Sequence, residues 1–277
     1  MQHLSLGYSP CPNDTFIFYP LVHGLVDCQG FSFTERLEDV ETLNQLALQG
    51  ELDITKISYH MLGFIRHDYC LLRSGGALGR GCGPLVVSRR FSQMEELRGK
   101  RIAVPGRYTT AYLLLRLFDP KLDNIVLLPF HEIMGAVANG EVDAGVIIHE
   151  SRFTFTDYGL KKLLDLGDWW ENETGHPIPL GGIVAKRTLG EKTIAALERS
   201  LKSSVEYALA HPDEADDYIR AHSQEMSDEV CAAHIDLYVN SFSLDLGVEG
   251  KRAVTALISR AEAAGLVPRS TEPVFFS

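Results

Sequence analysis

Leu4-Ser5-Leu6-Gly7-Tyr8-Ser9-Pro10-Cys11-Pro12-Asn13-Asp14-Thr15-Phe16 sets the fold class, because a short apolar run passes through a proline-stiffened loop into a helical pattern. Leu4 to Tyr8 reads as a strand. Thr15 to His23 reads as a helix opened by Asn13 and Asp14, both residue types that cap helix N-termini. Phe31 to Leu37 alternates with period two and reads as a second strand. Val40 to Leu48 places Val40, Leu43, Leu46 and Ala47 on one helical face, and Gly50 closes it. Ile54 to Ile57 is a short strand, Ser58 can cap the helix after it, and Tyr69 to Arg73 is another strand. This βαβαβ rhythm predicts a mainly parallel sheet covered by helices on both faces.

A glycine-rich stretch, Ser74 to Gly83, then leads into a strand at Pro84 to Ser88 and on to a second unit of the same rhythm. Its strands are expected at Arg101 to Val104, Ile125 to Leu128, Ala144 to Ile148 and Leu163 to Leu166. Helices are expected at Ala111 to Phe118 and at Ile133 to Ala138, the latter ended by Asn139-Gly140. Ile178 to Lys186 returns as an extended segment. Glu191 to Leu266 is helical in pattern, with breaks at His211-Pro212, near Ser223 and at Ser241 to Gly247. Two α/β units joined by strands crossing both ways predict a discontinuous first lobe, residues 1–88 plus 181–277, and an inserted second lobe, residues 89–180. The fold class is α/β, two-lobed, of the periplasmic-binding-protein-like type. Ligands of open α/β sheets bind beyond the carboxyl ends of the strands, which points to the cleft between the lobes.

Composition narrows the partners. The chain has 277 residues, 45% of them hydrophobic, enough for one large core or two modest ones. The formal net charge is -11 and no Lys/Arg run occurs, so nucleic acid is not an expected partner. A small anionic ligand can still be held where cations and backbone N–H groups converge. Met1 to Gly7 carries neither the basic nor the apolar region of an export signal, and no stretch is long and apolar enough to span a bilayer. Cys11, Cys28, Cys70, Cys82 and Cys231 are scattered, without a C-x-x-C pair, and read as reduced thiols. A cytoplasmic protein with no membrane partner is expected. The residues are compatible with a homodimer.

Four segments carry candidate chemistry. Ser9-Pro10-Cys11-Pro12-Asn13-Asp14-Thr15 puts small polar groups at a helix N-terminus, where exposed N–H groups favour an oxyanion; Asn13 and Asp14 can equally be plain caps. A nucleophilic role for Cys11 lacks a visible partner base. Thr55-Lys56-Ile57-Ser58-Tyr59 sets hydroxyls and a cation at the end of a strand, suited to a carboxylate or a sugar hydroxyl, although a capped helix with a surface lysine is the plain alternative. Gly106-Arg107-Tyr108-Thr109-Thr110 can offer hydroxyl and backbone N–H groups to a carboxylate, with charge from Arg107, or can be an ordinary threonine cap. His149-Glu150-Ser151-Arg152 follows the apolar run Val146-Ile147-Ile148, so His149 can reach into a cleft as a base or can be structural. Phe153 breaks the H-E-x-x-H zinc pattern, the other histidines lack metal-ligand spacing, and Gly79-Arg80-Gly81-Cys82-Gly83 lacks the spacing of a nucleotide loop; a hinge or a close ligand approach fits it better.

Taken together, Ser9 to Phe16, Leu37 to Asn44, Arg73 to Gly81 and Ile148 to Phe153 resemble the 1,4-dihydroxy-6-naphthoate synthase family of the futalosine route to menaquinone. The resemblance extends to Ala208-Leu209-Ala210-His211-Pro212 and to Tyr238 to Asp245, and so covers nearly the whole chain. It implies a two-lobed lyase that takes cyclic dehypoxanthine futalosine as substrate, without metal or organic cofactor. It also implies His149 as general base and substrate-binding segments at Lys56-Ile57-Ser58 and Thr109-Thr110. Ser9, Asn13 and Ser58 are then expected to meet the sugar-derived hydroxyls. Two alternatives stay open at this point: the related chorismate dehydratase of the same pathway, and a non-catalytic solute-binding protein of the same fold.

Overall fold

A computed structural model of the chain describes residues 2–223 and 227–276. The part of the C-terminal helical reading that falls on 224–226 lies outside the described residues. In chain order the strands are β1 (Gln2–Tyr8), β2 (Phe31–Leu37), β3 (Ile54–Ser58), β4 (Tyr69–Leu71), β5 (Ala77–Gly79), β6 (Leu85–Ser88), β7 (Ile102–Val104), β8 (Ile125–Leu127), β9 (Ala144–Ile147), β10 (Lys161–Asp165) and β11 (Ile178–Lys186). They form two sheets. One has the order β2-β1-β3-β11-β4 with β5 beside β11, and the other has the order β10-β6-β9-β7-β8.

Each sheet holds a parallel trio, β2-β1-β3 in the first and β9-β7-β8 in the second. The remaining pairings are antiparallel: β11 with β3, β4 and β5, and β6 with β9 and β10. The sheets are therefore mixed rather than mainly parallel. The reason is the crossing itself, since a strand that enters from the other lobe arrives from the cleft end and runs against its neighbours.

Pairing also moves the expected lobe boundary. The strand placed at the end of the first lobe, β6, pairs with β9 and β10 of the second sheet, so the chain crosses between Gly79 and Leu85. It returns between Asp165 and Ile178. Apolar patterning reveals that a segment is a buried strand but not which sheet buries it. Several short elements lie between the expected ones, among them the strand β5 and the helices Ser151–Thr154 and Leu166–Thr174. Trp170 in the latter helix is fully buried, and its Nε1–H reaches the Pro177 carbonyl at 3.1 Å, so this aromatic serves the core.

The first helix starts earlier than expected, at Pro12, with Cys11 in the N-cap position. Proline suits the first helical position because its fixed φ is already helical and it has no N–H to leave unpaired. Asn13 and Asp14 therefore lie inside the first turn, where their side chains are free for other partners. This helix, Pro12–Val22, packs on the helix Glu191–Ala210, which buries Ile194, Leu197, Leu201, Val205 and Ala208 along one stripe. Together with Leu4, Leu6, Phe16 and Ile17 they make the core of the first lobe, each large apolar side chain contributing about 2 kcal/mol. Leu85, Val87, Ala103, Ile133, Val137 and Ile147 make a separate core in the second lobe. A larger apolar cluster draws on both sheets, with Ile57, Leu71 and Val184 from the first and Val86, Ile102 and Val146 from the second, and the cavity lies where the strand ends of the two sheets face each other.

Candidate active site

The cavity contains about 640 Å³ of empty space, part of it open to solvent. Ser9, Asn13 and Asp14 after β1, Val40, and Lys56 and Ser58 of β3 line it from the first lobe. Pro84, Thr109, Thr110, Ala111, Ile148 and His149 line it from the second. Leu180 and Gly181 of β11, with Ala77, Cys82 and Tyr238, complete the wall. Of the expected substrate-binding positions on β3, Ile57 does not line it. Side chains alternate across a strand, so Lys56 and Ser58 face the cavity while Ile57, fully buried, turns into the core.

Lys56 does not stand as a lone cation. Its ammonium lies 2.5 Å from Asp14 Oδ1, and both side chains are almost wholly buried. Asp14 also accepts from Ser9 N at 3.2 Å, Ser9 Oγ at 2.8 Å and Asn13 Nδ2 at 2.8 Å. The carboxylate thus organises one wall of donors around a single acceptor. Gly181 leaves room for this arrangement, since a Cβ there would come within 3.1 Å of the Lys56 stem and 2.9 Å of the Ile57 carbonyl. The linear pattern leaves Asp14 open between a cap and a ligand contact; its pairing with Lys56 appears once β1 and β3 are side by side.

On the neighbouring wall, Ser58 occupies an N-cap position without a capping bond from its side chain. Instead, Asn44 accepts from Ser58 N at 2.9 Å and donates to Ser58 Oγ at 3.2 Å. Asn44 Nδ2 also reaches Glu41 Oε2 at 3.2 Å, and Glu41 accepts from the backbone N–H groups of Arg107 at 3.1 Å and Tyr108 at 3.2 Å. Glu41 belongs to the first lobe and residues 107 and 108 to the second, so this carboxylate bridges the cleft. Gly106 is required beside it, because a Cβ there would overlap the Glu41 carboxylate. Burial pushes the Glu41 carboxyl above its ordinary range, against the pull of these donors.

Thr109 and Thr110 line the cavity, but both hydroxyls are committed inside the protein. Thr109 Oγ1 accepts from Tyr112 N at 3.3 Å, capping the helix Thr110–Phe118, and donates to the Gly106 carbonyl at 2.9 Å. Thr110 Oγ1 donates to the Leu180 carbonyl at 2.6 Å. What this pair presents to a ligand is the positive end of a nine-residue helix. The side chain of Arg107, expected to add charge here, is exposed and lies in an outer groove with Tyr112, Arg116 and Asp123.

His149 sits just beyond β9, with φ of +56°, a left-handed conformation rare for a residue with a side chain. Such a backbone costs of order 1 kcal/mol and persists where the surroundings enforce it. Arg152, one helical step on, supplies the restraint: it donates to the Gly83 carbonyl and pairs with Asp165 at 3.0 Å, tying this turn to the crossing segment. The imidazole is half-buried, meets Phe130 edge-on at 5.2 Å between ring centroids and lies parallel to His234 at 6.0 Å. Its Nδ1 is 3.7 Å from the Cys11 sulfur. Burial holds the imidazole below its ordinary pKa against the opposing fields of Glu150, Asp14 and Asp39, while Lys56 adds to the lowering. Burial also raises the Cys11 thiol, keeping it protonated, so the contact is not an activated nucleophile. Cys11 and His149 are far apart in sequence, which is why no partner base was visible there.

Among the described residues, no group of three or more His, Cys, Asp or Glu side chains is arranged to hold a metal ion. No helix among them is long and apolar enough to cross a membrane.

Comparison with known proteins adds a family. A sequence profile described as menaquinone biosynthesis matches residues 4–263. A protein named 1,4-dihydroxy-6-naphtoate synthase from Thermus thermophilus is 56% identical over 275 residues, covering 99% of this chain and 100% of that protein. One of the same name from Streptomyces coelicolor is 47% identical, covering 96% of this chain and 95% of that protein. A crystal structure from Archaeoglobus fulgidus superposes with a TM-score of 0.88 at 38% identity, covering 96% of this chain and 98% of that one. The alkanesulfonate-binding protein SsuA from Xanthomonas axonopodis superposes at 0.71 with 16% identity, covering 97% and 95%, and shares the two-lobed fold of periplasmic binding proteins.

Proposed function

This chain belongs to the menaquinone-biosynthesis family, and from that premise we propose that it forms 1,4-dihydroxy-6-naphthoate from cyclic dehypoxanthine futalosine as a carbon–carbon lyase with His149 as general base. The observation that carries the proposal is His149 itself: a strained, half-buried imidazole on the wall of the interlobe cavity, held neutral by burial. A neutral imidazole can take a proton near neutral pH, and a lowered pKa keeps it ready below its ordinary range.

Each wall then has a task. To act as base through Nε2, His149 carries its proton on Nδ1, which lies 3.7 Å from the Cys11 sulfur. The positive end of the helix Thr110–Phe118 receives the substrate carboxylate. Ser9, Asn13 and Ser58 meet hydroxyl or carbonyl oxygens, and the Lys56–Asp14 pair keeps that wall rigid while presenting little net charge. The Glu41 bridge draws the lobes together, which excludes water and holds the ring against His149. Proton removal leads to rupture of the carbon–carbon bond, and aromatisation of the product supplies driving force. Five unpaired cysteines suit the reducing cytoplasm, where we place the reaction.

The test is incubation of the purified protein with cyclic dehypoxanthine futalosine, with chorismate in parallel, followed by chromatography and mass detection of 1,4-dihydroxy-6-naphthoate. Wild type is expected to form it, and His149→Ala to bind substrate without turnover. Undiminished turnover by His149→Ala would overturn the base assignment. Conversion of chorismate instead would identify the dehydratase, and saturable binding without any product would identify a binding protein.

A further inference from the structure

We propose that His234, which does not itself line the cavity, is a positioning residue that locks the amide of Asn13 so that Asn13 meets the substrate only as a hydrogen-bond donor. His234 lies on the helix Asp228–Tyr238 and is fully buried. Its Nε2 is 2.9 Å from Asn13 Oδ1, and Asn13 Nδ2 is 2.8 Å from Asp14 Oδ1. The roles in this chain are forced from one end. Asp14 is a carboxylate paired with Lys56 and can only accept, so the amide nitrogen of Asn13 must face it. The amide oxygen then faces His234, and an oxygen there requires a proton on Nε2.

Burial keeps His234 neutral, so that single proton leaves Nδ1 bare. Nδ1 is indeed a buried nitrogen that finds no partner among the described residues, a cost offset if Nε2–H is needed elsewhere. Asn13 is on the cavity wall, and its second Nδ2 hydrogen remains for a ligand. Without His234, the amide can swing away from Asp14 and offer an oxygen to the cavity, turning a donor into an acceptor. The substrate group at Asn13 is therefore an acceptor: a carbonyl, hydroxyl or carboxylate oxygen. His234 lies 221 residues from Asn13 in the chain, so nothing in the linear pattern joins them.

The inference rests on the proposed function for its substrate, and the experiment separates the two. Nitrogen-15 NMR of the ligand-free protein, which needs no turnover, is expected to show His234 neutral with the proton on Nε2 at pH 7. A proton on Nδ1, or a charged ring, overturns the proposal whatever the substrate. With cyclic dehypoxanthine futalosine, His234→Phe is expected to raise KM about tenfold with a smaller change in kcat, the size expected for one misplaced hydrogen bond. His234→Gln, whose amide N–H reaches the Nε2 position, is expected to restore most of that loss. His234→Asn, with its N–H at the Nδ1 position, is expected not to, and it replaces the Phe variant if that one fails to fold. Adding Asn13→Ala to His234→Phe is expected to change KM little further. Unchanged KM in His234→Phe, equal damage in the Gln and Asn variants, or additive effects with Asn13→Ala would each reduce His234 to a packing residue. Absence of turnover by wild type would sink the functional reading alone, with the NMR result still deciding His234.

Discussion

Replacing Lys56 with methionine keeps the stem and deletes the charge, which isolates the Lys56–Asp14 pair. The two side chains are 6% and 1% exposed, so the carboxylate left behind is a buried, uncompensated charge. Breaking such a pair from one side costs about 3–5 kcal/mol. Asp14 keeps its bonds from Ser9 and Asn13, which offsets part of the loss and places Lys56→Met near the lower end, about 3 kcal/mol. For a chain of this size that corresponds to a fall in Tm of ~5 °C. Urea unfolding followed by far-ultraviolet circular dichroism measures it directly. The double variant Asp14→Asn/Lys56→Met removes both charges and is expected to lie within ~1 kcal/mol of wild type. A loss below ~1 kcal/mol for Lys56→Met, the range of an exposed ion pair, would show that the carboxylate is not buried and uncompensated. So would a double variant no more stable than the single one.

Glu41→Gln removes the charge and one of the two acceptor oxygens that hold the backbone N–H groups of Arg107 and Tyr108 across the cleft, and is expected to lower kcat/KM about tenfold or more and to increase the radius of gyration in X-ray scattering. Because the Glu41 carboxyl is raised, wild-type KM is expected to climb as pH falls, beginning above the ordinary glutamate range. For His149 the shift is downward, so the acid limb of kcat/KM should lie below pH ~6.5; a limb at or above that value would count against the base assignment. His60 is 3% exposed and is pushed down to about 4 chiefly by burial. The unfolded chain then binds a proton that the native state does not, so stability falls as pH drops from ~6.5, by roughly 3 kcal/mol at pH 4. His60→Phe should flatten that slope in paired urea titrations at neutral and acid pH.

Much of the framework was readable in one dimension. β2, the helix Val40–Leu48 and β11 occupy the ranges expected from their patterns, because strand and helix periodicity act over neighbours a few residues apart. The long apolar turns of Glu191–Ala210 and the αL glycine after Asn139 are equally local signals. The motif at His149 carried the family resemblance, and the cavity wall includes that residue. Less was readable where one residue type can serve two ends. Asn13 and Asp14 look like caps until Pro12 is seen to open the helix. Thr109 and Thr110 look like free hydroxyl donors until their carbonyl partners, Gly106 and Leu180, are in place.

By itself, then, the amino-acid order determined the elements, their approximate bounds, the α/β class and the segments that approach a ligand, since all of these follow from local spacing and backbone chemistry. Tertiary structure alone decided which sheet received β6, that Ile57 turns inward while Lys56 and Ser58 turn out, and that Asp14, Asn44 and Glu41 organise the walls. It alone brought Cys11 to His149 and His234 to Asn13. The physical reason is common to all of these: hydrogen bonds, burial and pKa shifts act through distances in space, and two lobes built from a chain that crosses twice set side by side residues that no local pattern connects.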